Sequence, residues 1–163
     1  MIKELLVQKK IAIVGKWIQS ILSTYPSEAS GFLHLQKDRF KNPVGHIISA
    51  NAEKIFDEIA GGYNTERIKL LLDDIIKVRA VQDFSPSQAV GFIFSLKQVI
   101  YSELEYNIKN EKISEELMAI EHRIDQTALA AFDLYTEARE KIYQIKLREV
   151  KSKLQYKQMM DVK

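Results

Sequence analysis

The chain has 163 residues, of which 46% are hydrophobic and 28% are charged, with a formal net charge of +2 and no cysteine. These values are typical of one soluble globular domain, and the lack of cysteine excludes disulfides, zinc–thiolate sites and thiol nucleophiles. The N-terminal residues lack the apolar core of a secretory signal, and the most apolar run, residues 89–96, is too short to span a bilayer. We therefore expect a cytoplasmic protein without membrane insertion.

Helix-breaking residues are rare, with only three prolines and six glycines, and β-branched alternation is almost absent. This pattern predicts an all-α protein. The first predicted helix covers residues 2–24, with Leu6, Ile13 and Trp17 at helical spacing. A short element is predicted after Ser27.

The second and third predicted helices each begin at a capping signal. Asn42-Pro43 combines an N-cap with a proline at the first helical position, and it predicts a helix over residues 44–60. Thr65 is the predicted N-cap of the next helix, which should end near Asp83.

The fourth predicted helix runs from Pro86 to about residue 109. Ser85 is its predicted N-cap and Gln88, three residues later, completes a capping box. Its first turns are apolar on most sides, which places it in the centre of a bundle. Gly45 and Gly91 are expected to permit a close approach between helices.

The fifth predicted helix begins after Ser114 and continues without a breaker to about Met159, a length of about 65 Å at the rise of an α-helix. It should project from a compact domain of this size. The fold expected is one bundle of about five helices, formed by residues 1–145, followed by a basic helical tail, residues 146–163.

The tail contains six basic and two acidic residues, a net charge of +4, which leaves −2 for the rest of the chain. Such a tail fits nucleic acid or an acidic membrane surface, and it also fits a solvated helix end whose lysines complement the helix dipole. We prefer the solvated helix end.

Two elements in this order resemble the N-terminal domain of the RsbT co-antagonist RsbRD family: Asn42-Pro-Val-Gly-His46, and the run Arg-Ala-Val-Gln-Asp-Phe-Ser-Pro-Ser-Gln-Ala that begins at Arg79. Trp17 fits the early tryptophan of the family. The resemblance covers residues 5–105, and residues 121–139 look like the extension of stand-alone members.

The resemblance implies a bacterial sensor or regulatory input domain with a dimeric, globin-like helical fold that lacks heme. In longer members this domain precedes a STAS domain, which engages a switch kinase in stress signalling. Nothing after residue 105 has the alternating strands and helices of a STAS domain, so only the input function carries over.

Histidine chemistry has little local support, because no two of the three histidines share a helix face at ligand spacing. His46 ranks first through its place in the family motif, with His34 as a second choice. One interpretation makes His46 a ligand for heme or a metal, or a pH sensor. The other is a partly buried histidine bonded to a neighbouring group.

Arg79, Gln82 and Lys97 are the other candidate ligand-binding residues. Arg79 and Gln82 share a helix face, and an antiparallel neighbour brings Lys97 to a similar level, so that together they fit a carboxylate or phosphate. The structural alternative, which we prefer, pairs Arg79 with Asp83 or with an acid of the fifth helix and extends Lys97 to solvent. The charges along the fifth helix are expected to form salt bridges.

No motif for catalysis is present, and we predict no catalytic residue, metal site or cofactor. The function expected is a non-enzymatic signalling domain that binds a partner protein or a small ligand and changes the position of the fifth helix. A homodimer is expected, with the first or fifth helix at its interface. The alternatives are a heme- or metal-binding sensor using His46, and nucleic-acid binding by the tail.

Overall fold

The computed structural model describes residues 1–25 and 42–162. This part of the chain contains seven α-helices and no strand, which confirms the all-α prediction. The helices are α1 (Ile2–Gln8), α2 (Lys10–Leu22), α3 (Pro43–Ala60), α4 (Thr65–Val81), α5 (Pro86–Val90), α6 (Phe92–Leu104) and α7 (Glu111–Asp161). The short element predicted after Ser27 and the candidate His34 lie outside the described residues.

Two helix starts have the predicted caps. The side chain of Asn42 accepts a hydrogen bond from the Gly45 backbone N–H at 3.0 Å, and Pro43 is the first residue of α3. At α5 the Ser85 hydroxyl accepts from the Gln88 N–H at 3.3 Å, while the Gln88 side chain accepts from the Ser85 N–H at 3.0 Å. This reciprocal pair is the predicted capping box.

Two other caps were placed wrongly by the sequence. The N-cap of α4 is Asn64, whose side chain accepts from the Arg67 N–H at 3.0 Å, so Thr65 is already helical. The long helix begins after Asn110 rather than Ser114, because Asn110 accepts from the Lys112 N–H at 3.0 Å. Asparagine is as strong a cap as serine or threonine, so the earlier residue takes the role in both cases.

Two predicted helices are divided. The first breaks at Lys9, whose ammonium group donates to the Glu103 carbonyl at the end of α6. The fourth breaks at Gly91 and ends at Leu104, not near residue 109. A Cβ at Gly91 would lie 2.7 Å from the Ser87 carbonyl oxygen. The glycine therefore relieves a contact within its own turn, and the predicted close approach between helices is wrong there.

The core lies between α2, α3, α4, α6 and the first half of α7, which packs extensively along α4. Trp17 is fully buried at its centre and donates its indole N–H to the Phe92 carbonyl at 2.8 Å. The last fully packed residue of α7 is Tyr135, and residues 143–162 are all exposed. The 51-residue helix is about 76 Å long, so its end projects from the bundle as predicted.

Charged side chains of α7 hold the ends of neighbouring helices. Arg123 donates to the carbonyls of Ile59 and Gly61 at the end of α3, at 2.8 Å each. Arg139 donates to the Ala80 carbonyl near the end of α4, also at 2.8 Å. The last carbonyls of a helix have no hydrogen-bond partner within that helix. Arg123 and Arg139 supply the missing donors, a role that the sequence analysis did not predict.

Candidate functional site

Arg79 lies in α4 and is completely buried, with 0% of its surface exposed. Its guanidinium donates to the Gln88 carbonyl and to the Thr24 hydroxyl, at 3.0 Å each. Three ring centroids surround it, at 5.3 Å for Tyr25 and 4.8 Å for both Phe84 and Phe92. Arg79 therefore joins the ends of α2 and α4 to the start of α5 and α6.

No carboxylate faces this guanidinium within the part of the chain that the structure describes, and Nε has no hydrogen-bond partner. Burial lowers the pKa of Arg79, because the charged form loses its hydration. The faces of aromatic rings attract a cation and offset part of this loss. The predicted pairing of Arg79 with Asp83 or an acid of the long helix is wrong, since Asp83 pairs with Arg139 at 3.2 Å.

Gln82 and Lys97 contact other parts of the molecule. Gln82 is exposed and ends α4, and its backbone N–H donates to the Val78 carbonyl. The Lys97 ammonium lies 2.6 Å from the Asp125 carboxylate on α7, so it forms an ion pair rather than extending to solvent alone. These contacts account for Arg79 and Lys97 without a ligand, and anion binding by the three residues stays a prediction.

His46 is exposed on the second turn of α3, so the interpretation as a partly buried histidine is wrong. Among the described residues, no group of three or more histidine, aspartate and glutamate side chains is arranged to hold a metal ion. A role for His46 toward heme or a metal therefore stays a prediction.

A groove that the sequence did not predict lies between the α4–α5 turn and α7. It has a volume of about 510 Å³ and is lined by Asp83, Phe84, Ser85, Pro86, Gln88, Phe132, Tyr135, Thr136, Arg139, Glu140 and Tyr143. Arg139 donates to Asp83 and, at 3.1 Å, to the Tyr143 hydroxyl, and Tyr135 donates to the Phe84 carbonyl. Asp83 has a φ of 59°, in the left-handed region that aspartate tolerates better than most residues.

A second groove of about 470 Å³ adjoins the first and shares Pro86 and Phe132 with it. Its lining is apolar apart from one serine and consists of Pro86, Ser87, Val90, Gly91, Phe94, Ala128, Leu129 and Phe132. Phe94, Leu129 and Phe132 are 48%, 63% and 49% exposed. We call the surface formed by Val90, Phe94, Leu129 and Phe132 the α5–α7 face.

Residues 11–150 match the family described as "RsbT co-antagonist protein rsbRD N-terminal domain". This protein belongs to that family. The resemblance drawn from the two motifs is confirmed. The match begins in α2 and continues past the expected residue 105 into the exposed part of α7. Membership makes the chain a regulatory domain of stress signalling.

This RsbRD N-terminal domain is also similar to an uncharacterised protein of Archaeoglobus fulgidus, with 26% identity over 149 residues, 88% of this chain and 85% of that protein. No solved structure matches the chain significantly, so a globin-like arrangement stays an expectation. Among the described helices, none has an apolar stretch long enough to cross a membrane.

The motifs of this RsbRD N-terminal domain have structural roles at two helix junctions. In the second motif Arg79 is the buried centre, Asp83 makes the turn, Phe84 faces the guanidinium, and Ser85 with Gln88 caps α5. The motif that identifies the family therefore builds the α4–α5 junction beneath the two grooves. The motif thereby forms one wall of each groove. The sequence signal that could have revealed the grooves is the pair of apolar residues Leu129 and Phe132, which lie on α7 away from its core face.

Proposed function

We propose that this RsbRD N-terminal domain is a non-catalytic input domain of cytoplasmic stress signalling that acts by binding a protein partner. Family membership supports a role in stress signalling. The arrangement of α7 supports action through a protein partner. This single helix is packed against α4 along its first half and is exposed over residues 143–162. A change in the packing of α4 against α7 would move the free end, where a partner can respond.

We further propose that the domain is a homodimer joined through the α5–α7 face. Phe94, Leu129 and Phe132 expose an apolar surface in an apolar groove, and none of the described residues that line this groove is charged. Exposed apolar surfaces of this kind commonly mark protein interfaces. A twofold pair can place the ridge of one copy in the groove of the other, since an isologous interface uses the same surface twice.

A genetic experiment tests the regulatory role. Deleting the gene in the source organism should change the set of proteins induced by stress, and the intact chain supplied in trans should restore it. A chain with Phe132→Glu should restore it less well than a chain with Leu70→Glu, which alters an exposed leucine on α4. An unchanged stress profile after deletion would refute the proposal.

An absorption spectrum of protein purified from heme-supplied cells tests the sensor alternative at the same time. A Soret band that is lost in the His46→Ala variant would show that the domain is a heme sensor. The proposal expects no such band.

A further inference from the structure

The exposed end of α7 carries one narrow row of apolar side chains. Tyr143, Leu147, Val150 and Leu154 follow one another at intervals of four, three and four residues, and each is between 53% and 58% exposed. At 3.6 residues per turn the four lie within an arc of about 60°. We call this row the C-terminal seam.

The width of the row indicates what it can bind. Alternating steps of three and four residues along a narrow arc are typical of a coiled-coil seam. A helix that lies on a membrane surface needs a wider apolar face, of about 100° or more. The other exposed apolar residues here include Ile145, Tyr156 and Met159, which lie on the opposite side and do not widen the row.

Residues 143–162 of α7 are all exposed, and apart from the contact of Tyr143 with Arg139 one turn earlier the described chain does not cover the row. Helices in proteins take most of their stability from packing an amphipathic face. The C-terminal seam is such a face, and it lies on the same side of α7 as Leu129 and Phe132 of the α5–α7 face, from which Thr136, Arg139 and Glu140 separate it.

Three lysines flank the row, at least one on each side. Lys146 and Lys153 lie along one edge and Lys151 along the other, whereas the acidic Glu149 lies on the far side of the helix. In a two-stranded coiled coil the flanking positions face each other and determine which partner is accepted. A parallel second copy would set Lys146 against the other copy's Lys151, and like charges in such pairs are destabilising.

We propose that the C-terminal seam binds an amphipathic helix of another protein, with aliphatic residues at its seam and glutamate or aspartate at its flanking positions. The flanking lysines exclude a second copy of this chain and select an acidic helix. The central apolar row, which offers nothing to a phosphate backbone, favours a protein helix over nucleic acid. This inference rests on the proposed function, since it names the chemistry of the partner that α7 would engage.

Two synthetic peptides of four heptads test the proposal with the full chain. Both carry leucine at the a and d positions, and their e and g positions carry glutamate in one and lysine in the other. The glutamate peptide should bind about tenfold more tightly than the lysine peptide, given the modest free energy of each flanking pair. Its affinity should fall as salt rises, because the flanking charges are exposed.

Matched variants locate the binding. Leu147→Ser with Leu154→Ser should abolish binding of the glutamate peptide. Ile145→Ser with Tyr156→Ser, on the opposite side of the helix, should leave it intact. Reversal of the three lysines by Lys146→Glu, Lys151→Glu and Lys153→Glu should make the lysine peptide the better ligand. Circular dichroism shows whether each variant keeps the helix. If the serine variant unfolds this segment, the charge-reversal variant still tests the proposal.

Three results would overturn the proposal. The first is equal binding, or no binding, of the two peptides. The second is a loss of oligomeric mass in the Leu147→Ser, Leu154→Ser variant, which would assign the seam to a second copy. The third is binding of phosphatidylglycerol vesicles or duplex DNA that needs the three lysines and not the two leucines. If the peptide experiments fail but deletion of the gene changes the stress response, only the C-terminal seam is refuted. The partner would then bind elsewhere on the domain.

Discussion

Arg79 shows how a single residue connects family identity with stability. Its guanidinium sits among three aromatic rings and two neutral oxygen acceptors, with no described carboxylate beside it. Removing a buried charge that has an ionic partner leaves that partner uncompensated, which is costly. Replacing Arg79 leaves no unpaired charge among the described residues. Most of the contribution of Arg79 to stability should therefore come from the volume that it fills and from its ring contacts.

We therefore expect Arg79→Met to cost much less than Arg79→Ala. The alanine variant opens a cavity and should lower the free energy of unfolding by about 3–5 kcal/mol. Methionine fills most of the space and should cost about 1–2 kcal/mol. Chemical denaturation measures both, and Arg67→Ala, an exposed ion-pair arginine, is the control with a change of about 0.5 kcal/mol or less. Equal losses for methionine and alanine would contradict this account.

Glu116 gives a pH-dependent prediction. Its carboxylate accepts the Ile2 backbone N–H at 2.7 Å, and this bond holds the pKa of Glu116 below its usual range. A lowered pKa in the folded state contributes stability above the unfolded pKa, and that contribution is lost as pH falls through the folded value. Glu116→Gln should thus lower the Tm at pH 7, and the difference from the parent should disappear as the pH falls through the folded pKa of Glu116. A Tm difference that persists in acid would rule out this linkage.

The start of α3 shows how one helix end depends on two residues. The Asn42 side chain caps the helix and occupies the place where residue 45 would carry a Cβ, which would lie 2.3 Å from Asn42 Nδ2. Glycine at position 45 therefore serves the cap, and the expected role in helix–helix approach is replaced by this local one. The Asn-Pro-X-Gly pattern is a requirement of cap geometry.

We expect Gly45→Ala to destabilise the protein by about 1 kcal/mol through loss of the cap. Gly15→Ala is the matched control, because a Cβ at Gly15 in α2 meets nothing within 4 Å, and it should stabilise by about 0.5–1 kcal/mol. In an Asn42→Ala background the cost of Gly45→Ala should disappear. Additive costs in this double-mutant cycle, measured by denaturation, would disprove the coupling.

At the scale of the whole molecule, the two apolar surfaces of α7 differ in charge. The α5–α7 face has an uncharged groove, and the C-terminal seam is flanked by lysines. Two copies of the chain can pack through the α5–α7 face without charge repulsion, whereas two C-terminal seams would repel each other. We therefore propose the α5–α7 face for the homodimer and, separately, the C-terminal seam for the partner helix.

Light scattering on the purified chain tests the first assignment. The parent protein should have the mass of two chains, and Phe132→Glu should reduce it to that of one, since a buried unpaired carboxylate disfavours an apolar interface. Leu70→Glu, on an exposed part of α4, should leave the dimer mass unchanged. A monomeric parent, or a Phe132→Glu variant that stays dimeric, would reject the α5–α7 face.

Much of the fold could be predicted because its signals are local. The spacing of apolar residues, the caps at Asn42 and Ser85, and the absence of breakers after residue 111 determined the helical class and the long projecting helix. The family was likewise carried by two short motifs. Each of these features depends on residues within a few positions of one another.

Only the tertiary structure decided what those residues contact. The contact of Lys9 with Glu103, the aromatic surroundings of Arg79 and the pairing of Arg139 with Asp83 join residues far apart in the chain, and spacing contains no record of such contacts. The candidate site changed for the same reason. Arg79 was expected to pair with Asp83 or with an acid of the long helix, but it lies buried among three aromatic rings. The exposed apolar surface lies on α7, because which face of a helix stays free depends on what packs against the other.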